Sequence, residues 1–173
     1  VDDIHHLVDE FSSFARMPSP TLKVININKV ISDYVNPMMS SFDKVLIEID
    51  DVLDNALIMG DEKQIRQACG NLIKNSYENI TSNNIENARI SIFFNIENNY
   101  ASILVNDNGT GIDKSMISEI TEPYFTTKVG GTGLGLAITK KIIDDHNGSI
   151  LIKSLKASKG TSILLKFPLI SKN

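Results

Sequence analysis

The sequence contains a single cysteine, Cys69, among its 173 residues, so no disulfide can form within the chain. Such sparse use of cysteine is typical of a reducing cytosol, and we expect Cys69 to be a small buried residue. No apolar run approaches the length of a membrane span, and no signal-peptide pattern opens the sequence. Basic residues are not in excess either: the net charge of −4 argues against nucleic acid as the main partner.

The composition is that of a folded globular domain. Hydrophobic residues make up 42% of the sequence and charged residues 22%, which is the usual balance in such domains. The length suffices for one domain with its own core and a short appendage. Internal repeats and low-complexity tracts are both lacking, so repeat architectures are excluded.

The first 17 residues predict a piece of a helix that packs against another helix. Apolar residues recur there at spacings of three and four, namely at Val1, Ile4, Val8, Phe11 and Ala15. This pattern is typical of a coiled-coil or bundle seam, and two heptads alone are marginal. We therefore expect the natural protein to continue upstream. Pro18 and Pro20 end the helix, so residues 18–21 are interpreted as a linker before a main domain at 22–173.

Two hydrophobic periods alternate along that main domain. Period-two patterns predict strands at residues 22–27, 45–49, 56–59, 90–96, 101–105, 149–154 and 161–167. Helical patterns predict segments at 28–39 with Asn28 as N-cap, at 62–80, near 114–120, and at 134–146 with Gly148 as C-terminal cap. Together they predict an α+β two-layer sandwich, in which a mixed sheet packs on helices.

The long helix at 62–80 carries polar residues opposite its apolar stripe. The stripe consists of Ile65, Cys69, Leu72, Ile73 and Ile80. Asn71, Asn75 and Glu78 follow each other at i, i+4 and i+7 on the other side. Asparagine is a mediocre helix former, and amide oxygens are hard ligands that suit Mg²⁺. A solvated helix face accounts for these residues about equally well.

Two glycine-rich stretches are candidates for ligand binding. The first, NDNGTG at 106–111, follows a predicted strand; its aspartate could accept hydrogen bonds from a base, although a polar turn would use the same residues. The second, GGTGLGL at 130–136, runs into a helix and exposes backbone N–H groups to phosphate oxygens. Its spacing matches neither the dinucleotide fingerprint nor the Walker P-loop.

The sequence EPYFTTK at 122–128 lies between these stretches. An apolar pair followed by hydroxyls and a cation suggests a mobile lid, from which Lys128 could reach a phosphate as a point charge. An ordinary surface loop is the alternative, and the segment alone does not decide between them.

In order and spacing these pieces resemble the catalytic, ATP-binding domain of sensor histidine kinases, in the wider group of gyrase, Hsp90 and the MutL repair proteins. NLIKN at 71–75 looks like the N box, DNGTG at 107–111 like the G1 box, PYFTTK at 123–128 like the F box and GTGLGL at 131–136 like the G2 box. Gly160 and Thr161 resemble the last glycine motif. Residues 7–18 resemble the end of the second dimerisation helix in kinases of the nitrogen-regulation NtrY type, and the catalytic likeness extends from residue 22 to the C-terminus.

The resemblance implies the Bergerat fold with ATP and Mg²⁺ as cofactors. Asn75 would hold the metal with support from Asn71, and Lys128 would complete the catalytic set. Asp107 would bind the adenine amino group, helped by Thr161 through water. The implied cofactor-binding residues are Asp107, Gly109, Gly111, Phe125, Thr126, Thr127, Gly131, Thr132, Gly133, Leu134, Gly135 and Thr161.

One departure bears on the reaction. Hydrolytic members of the wider group carry a glutamate base where Asn71 stands, and an amide cannot take that proton. A histidine kinase that passes the γ-phosphate to a histidine is therefore favoured over a hydrolytic ATPase, with a nucleotide-sensing module as a further alternative. His5 and His6 lack the acceptor signature, and His146 suits a helix C-terminus, so we expect the acceptor upstream.

The resemblance also implies the partners. These are an upstream dimerisation and phosphoacceptor domain, and a response regulator that receives the phosphate. The full-length protein would be a homodimer, with this part as the cytoplasmic domain of a membrane-anchored sensor kinase.

Overall fold

The computed structural model describes residue 12 and residues 16–128, 130–155 and 160–170. The predicted helix at 1–17 therefore lies almost entirely outside the described residues, and its boundary with the linker stays a prediction. The strands are β1 (Lys23–Asn26), β2 (Leu46–Ile49), β3 (Leu57–Gly60), β4 (Arg89–Glu97), β5 (Tyr100–Asp107), β6 (Ser149–Ser154) and β7 (Thr161–Pro168). The α-helices are α1 (Ile27–Val35), α2 (Glu62–Ser82) and α3 (Gly135–Asp145), and a 3₁₀ helix spans Asn36–Ser41.

The strands form two sheets. Five of them lie in the order β2-β4-β5-β7-β6, with β2 and β4 parallel and the other neighbours antiparallel. β1 and β3 form a separate antiparallel pair. The predicted α+β sandwich with a mixed sheet is confirmed, and β5 lies at the centre of the larger sheet.

The core lies between the larger sheet and the helices. The apolar stripe predicted on α2 is fully buried, from Ile65 through Cys69 to Ile80. Ile103 and Val105 of β5 point into the same core. A smaller cluster joins Ala68 of α2 to Leu134, Ile138 and Ile142 around α3, so α2 packs on the sheet and on α3 at once.

His146 connects the end of α3 to the start of α2. It is the C-cap residue of α3, as its position predicted, and it is 2% exposed. Its Nε2 accepts the backbone N–H of Asp61 at 2.9 Å, and its Nδ1 lies 2.7 Å from the carbonyl oxygen of Ile142. These partners require a neutral ring with its proton on Nδ1, which assigns His146 a structural role.

Helix α1 differs at both ends from the helix predicted at 28–39. Asn26 is the N-cap of α1, and its side chain accepts the N–H of Lys29 at 3.1 Å. Asn28, the predicted cap, is fully buried inside the helix. The α-helix ends at Val35 rather than near residue 39, because Pro37 cannot donate the next helical hydrogen bond. A 3₁₀ turn continues the chain.

Two further local predictions were wrong. Residues 114–120 form hydrogen-bonded turns instead of a short helix, with the carbonyl of Met116 accepting from Glu119 and Ile120. At the end of α3 the left-handed residue is Asn147 (φ 54°), not Gly148. Asn147 and Gly148 donate to Asp144 and Ile143, which is a Schellman cap.

Across residue 12 and ranges 16–128, 130–155 and 160–170, none of the helices is both long and apolar enough to span a membrane. Cys69 is buried and carries a free thiol, as its sequence context predicted.

Candidate functional site

A buried carboxylate stands at the C-terminal end of the central strand. Asp107 is 7% exposed. Its Oδ2 accepts the hydroxyl of Ser76 at 3.0 Å, and its Oδ1 accepts the N–H groups of Gly109 at 2.9 Å and Thr161 at 3.1 Å. An ionised carboxylate has about four acceptor positions, so these three donors fix its orientation and leave capacity for a donor from a ligand.

The backbone approaches Asp107 so closely that neighbouring positions require glycine. Gly160 has a φ of +133°, and a Cβ there would collide with the carbonyl oxygen of Asp107. A Cβ on Gly109 would collide with Oδ1 of Asn79. The amide of Asn79 in turn accepts the N–H of Thr110 at 3.0 Å. The G1 loop is thereby tied to α2.

The polar face of α2 meets the N-terminus of α3. Asn71 donates through Nδ2 to the carbonyl oxygen of Gly135 at 3.1 Å. A Cβ on Gly135 would lie 3.7 Å from Nδ2 of Asn75. The N-terminus of α3 has no side-chain cap. Its free N–H groups and the positive end of its dipole are available to an anion beside these two amides.

Lys128 lies over the same helix face. Its Nζ lies 3.2 Å from Oδ1 of Asn75 and 2.6 Å from Oε2 of Glu78. The lysine and the glutamate side chains are each 38% exposed. An ammonium group therefore occupies a position between an amide oxygen and a carboxylate oxygen, which are the ligand types that hard divalent cations prefer.

The segment that leads to Lys128 folds back on the G2 glycines. The N–H of Tyr124 donates to the carbonyl oxygen of Gly133 at 3.1 Å. Gly133 has a φ of +68°, and a Cβ there would lie 2.5 Å from the carbonyl carbon of Tyr124. The hydroxyl of Thr126 accepts the N–H of Lys128 at 3.1 Å and would lie 2.7 Å from a Cβ on Gly131. The G2 spacing thus allows two backbones to lie against each other.

Five predicted site residues remain, and they differ in burial and in contacts. Gly111 has a φ of +79° and turns the G1 loop, while the hydroxyl of Thr132 accepts the N–H of Leu134 at 3.4 Å. Phe125 packs partly buried against the main core, and Thr127 is exposed. The side chain of Leu134 is fully buried in the smaller core cluster, so only its backbone can face a ligand.

The structure adds three side chains that the predicted set lacked. Ser76 is buried, donates to Asp107 and interrupts the apolar stripe of α2; a lone polar residue in a buried stripe is the signal that could have identified it. Asn79 holds the G1 loop, and its spacing from Asn75 extends the polar face by one turn. Glu78 contacts Lys128, although the sequence pattern had placed it only on that face.

The site has no preformed cluster of charged metal ligands. Within the part of the chain that the structure describes, histidine, cysteine and carboxylate side chains do not gather in threes. The atoms that fit a divalent cation are Oδ1 of Asn75 and the carboxylate of Glu78, because the Lys128 ammonium already lies against both. A single amide and a carboxylate fit a metal that receives its other ligands from phosphates and water.

Known proteins are similar to this chain over most of its length. Residues 60–171 match the family described as histidine kinase-, DNA gyrase B-, and HSP90-like ATPase. The chain is 33% identical over 168 residues to a protein of Rickettsia conorii named as an NtrY-like sensor histidine kinase, covering 97% of this chain and 28% of the relative. It is 34% identical to the nitrogen regulation protein NtrY of Azorhizobium caulinodans, covering 95% of this chain and 22% of that protein.

A solved structure of a histidine kinase domain has the same fold. The catalytic domain of histidine kinase ThkA in a nucleotide-free form superposes with a TM-score of 0.71 at 28% identity, covering 86% of this chain and 95% of that domain. The curated relatives are several times longer, since the chain spans about a quarter of their length. On the family match and the shared fold, the chain belongs to the histidine kinase-, DNA gyrase B- and HSP90-like ATPase family.

Proposed function

We propose that this domain binds ATP with Mg²⁺ and positions its γ-phosphate for transfer to a histidine upstream of the described residues, as the catalytic part of a sensor histidine kinase. The observation that carries the proposal is the pairing of a fixed, buried carboxylate at Asp107 with amides rather than a carboxylate at Asn71 and Asn75. The likeness to sensor histidine kinases over nearly the whole chain supports it.

Asp107 would bind the adenine amino group. Its carboxylate has one acceptor position left after Ser76, Gly109 and Thr161 have donated. The absence of a Cβ at Gly109 and Gly160 lets the chain pack closely against Asn79 and Asp107, which keeps the carboxylate in a fixed position. Thr161, held by the same carboxylate, would assist through a bridging water.

The phosphates would lie at the N-terminus of α3. That terminus has no side-chain cap, and the helix dipole there favours negative charge. The glycines of the G2 box would let the phosphates come close to the backbone, although the N–H of Gly131 already donates to the carbonyl oxygen of Lys128 at 3.2 Å. Lys128 would contribute a positive charge. Asn75 would supply a protein oxygen to hold Mg²⁺, which would contribute positive charge against the charge that develops during transfer.

Asn71 favours transfer over hydrolysis. Its amide donates to the carbonyl oxygen of Gly135, and an amide has no basic site that could accept a proton from water. The site as built would therefore orient ATP and stabilise charge, while the nucleophile comes from another part of the protein. That nucleophile would be a histidine of an upstream dimerisation domain in a homodimeric, membrane-anchored kinase, and the phosphate would pass on to a response regulator.

Calorimetry with ADP or ATP and Mg²⁺ tests the binding half of the proposal. Asp107→Asn should lose about 1.5–3 kcal/mol of binding free energy, because it removes a charge-assisted hydrogen bond. Asp113→Asn is the matched control, since that carboxylate accepts the N–H and the hydroxyl of Ser115 in its own turn, at 2.8 Å and 2.6 Å. Equal affinities of wild type and Asp107→Asn would refute the adenine assignment.

Labelled ATP tests the transfer half. The described domain alone should neither label itself nor turn over ATP appreciably, and addition of the upstream helix should restore an acid-labile phosphate on its histidine. Asn75→Ala should abolish that transfer through loss of the metal. Tight binding without transfer to any added helix would instead favour a nucleotide-sensing module, and label on His5 or His6 would move the acceptor into this sequence.

A further inference from the structure

The cation position on α2 is built from two residues, of which only one belongs to the recognised N box. Asn75 and Glu78 are separated by three positions, so their side chains lie on one face of the helix. Both contact the same ammonium group, with the Lys128 Nζ 3.2 Å from the amide oxygen and 2.6 Å from the carboxylate oxygen. Glu78 also lies 3.9 Å from Nζ of Lys74.

This ion pair contributes little to folding. Both of its side chains are more than one-third exposed, and exposed pairs of this kind add little to the stability of the fold. A contact so weak can be exchanged for a better one. A divalent cation that arrives with phosphate ligands carries twice the charge of the lysine and prefers the same two oxygens, so the two cations compete for one position.

We propose that Asn75 and Glu78 form a single cation-binding pair, which Lys128 occupies in the nucleotide-free protein and Mg²⁺ occupies in the nucleotide complex. Glu78 is then a positioning residue for the metal, and it supplies the negative charge that the amide of Asn75 lacks. The inference rests on the proposed function, because it requires that a metal–nucleotide complex enters this site.

The exchange couples the metal to the segment at 122–128. In the structure this segment is held at Lys128 by α2 and at Tyr124 by Gly133. Metal binding removes the first attachment and frees the lysine charge for the phosphates. Nucleotide without metal would leave the lysine on α2, so release of the segment should depend on Mg²⁺ and not on nucleotide alone.

Hydrogen exchange tests where Lys128 is held. Glu78→Gln preserves shape and helix propensity, and it should speed exchange in residues 124–128 of the free protein. The same variant should exchange like wild type once ADP and Mg²⁺ are bound, and unlike wild type with ADP and a chelator. Lys128→Met provides a second variant that should speed exchange in the free protein. An effect of Glu78→Gln that is equal with and without Mg²⁺ would overturn the exchange of cations.

A matched pair of residues controls for ordinary ion pairing. Lys140 of α3 lies 3.7 Å from Glu122, at the other end of the same segment and away from Asn75. Lys140→Met removes an ion pair of similar exposure, so its effect on exchange should be the same in all three nucleotide conditions. If Glu78→Gln behaves like Lys140→Met throughout, Glu78 only forms a surface ion pair.

Calorimetry tests the metal side directly. The factor by which Mg²⁺ strengthens ADP binding should fall roughly tenfold in Glu78→Gln, the size of effect typical of residues that orient a metal. Lys74→Met removes the other partner of Glu78 and should leave that factor unchanged. A wild-type domain that binds no ADP would overturn the proposed function together with this inference. Binding with an unchanged Mg²⁺ factor in Glu78→Gln would overturn this inference alone.

Discussion

The two halves of the candidate site are held in place very differently. Around Asp107, the carboxylate is 7% exposed and receives three hydrogen bonds from α2, the G1 loop and β7. Around Lys128, the contacts include an exposed ion pair with Glu78 of α2, a hydrogen bond to Asn75 and the backbone hydrogen bond from Tyr124 to Gly133. Both halves rest on α2, but only the first lies within the layers of the sandwich.

This difference indicates how far each half is ordered before a ligand binds. A buried carboxylate with fixed donors is complementary to its ligand before the ligand arrives, so little ordering remains to oppose binding. A segment with few buried contacts can move at small free-energy cost. The part of the candidate site around Asp107 is therefore a preformed half, where we propose that the base binds, and the part around Lys128 is an adaptable half, where we propose that the phosphates bind.

The largest effect should come from a methyl group placed in the preformed half. Gly160→Ala puts a Cβ against the carbonyl oxygen of Asp107 at a φ of +133°, and we expect it to lower the free energy of unfolding by roughly 2–5 kcal/mol. Gly130→Ala is the counterpart in the adaptable half, where φ is +76° and, apart from its two chain neighbours, none of the described residues has an atom within 4 Å of the new Cβ. It should cost only about 1–2 kcal/mol, the price of a left-handed backbone. Urea unfolding of both variants measures this, and equal losses would erase the contrast.

A smaller effect should follow from removing a donor to Asp107. Ser76→Ala deletes the hydroxyl that binds Oδ2 at 3.0 Å and should lower the free energy of unfolding by about 1–3 kcal/mol, because a buried charge loses a partner. Nucleotide affinity should fall with it. Ser102→Ala is the control: its hydroxyl binds only the carbonyl oxygen of Asn95 at 3.3 Å. If Ser76→Ala and Ser102→Ala behaved alike in unfolding and in calorimetry, Ser76 would not fix the carboxylate.

Asp61 is the N-cap of α2, the helix that both halves contact. Its contribution to the free energy of unfolding should depend on pH. Asp61 accepts the N–H groups of Lys63 and Gln64, so Asp61→Ala should cost about 1 kcal/mol. Burial raises the pKa of the Asp61 carboxyl, but hydrogen bonds from Thr21, Gln64 and Lys63 outweigh it, and the pKa is lowered. A lowered folded-state pKa means that the stabilisation is complete above the usual value of about 4 and is lost as the pH falls through the folded pKa. Unfolding of both proteins between neutral and acidic pH measures this; a difference that grows on acidification contradicts the assignment.

The smallest expected effect is none at all, at Cys69. The thiol is buried on the sheet side of α2, and burial raises its pKa to about 12. We expect a thiol reagent at mildly alkaline pH to leave it unmodified in the folded domain and to modify it fully in urea. Labelling of the folded domain at the rate of the unfolded chain would show that α2 opens readily, which would contradict the contrast between the two halves.

Local chemistry made much of the fold predictable. The long helix and the two strands predicted at 90–96 and 101–105 are present, because hydrophobic periodicity depends on residues that are close in sequence. Asn98 and Asn99, both with positive φ, form the turn between those strands, and the second strand extends to Asp107. Asn26 is the cap of α1 in place of Asn28, so the helix begins two residues earlier than predicted, at Ile27. Residues 114–120 form turns in place of the predicted helix; nothing in the structure explains this.

From the sequence by itself we predicted the class of the domain and the two glycine-rich stretches. From the same patterns we predicted Asp107 and the amides on α2 as candidate site residues, because each of these predictions depends on residue types at short fixed spacings. Only the tertiary structure decided that Ser76 supports Asp107, that Leu134 is a core residue and that Lys128 lies on Glu78. Ser76 and Asp107 are separated by 31 residues along the chain, and Glu78 and Lys128 by 50. Contacts over such distances depend on how sheet and helices pack, and no local pattern records which side chains that packing brings together.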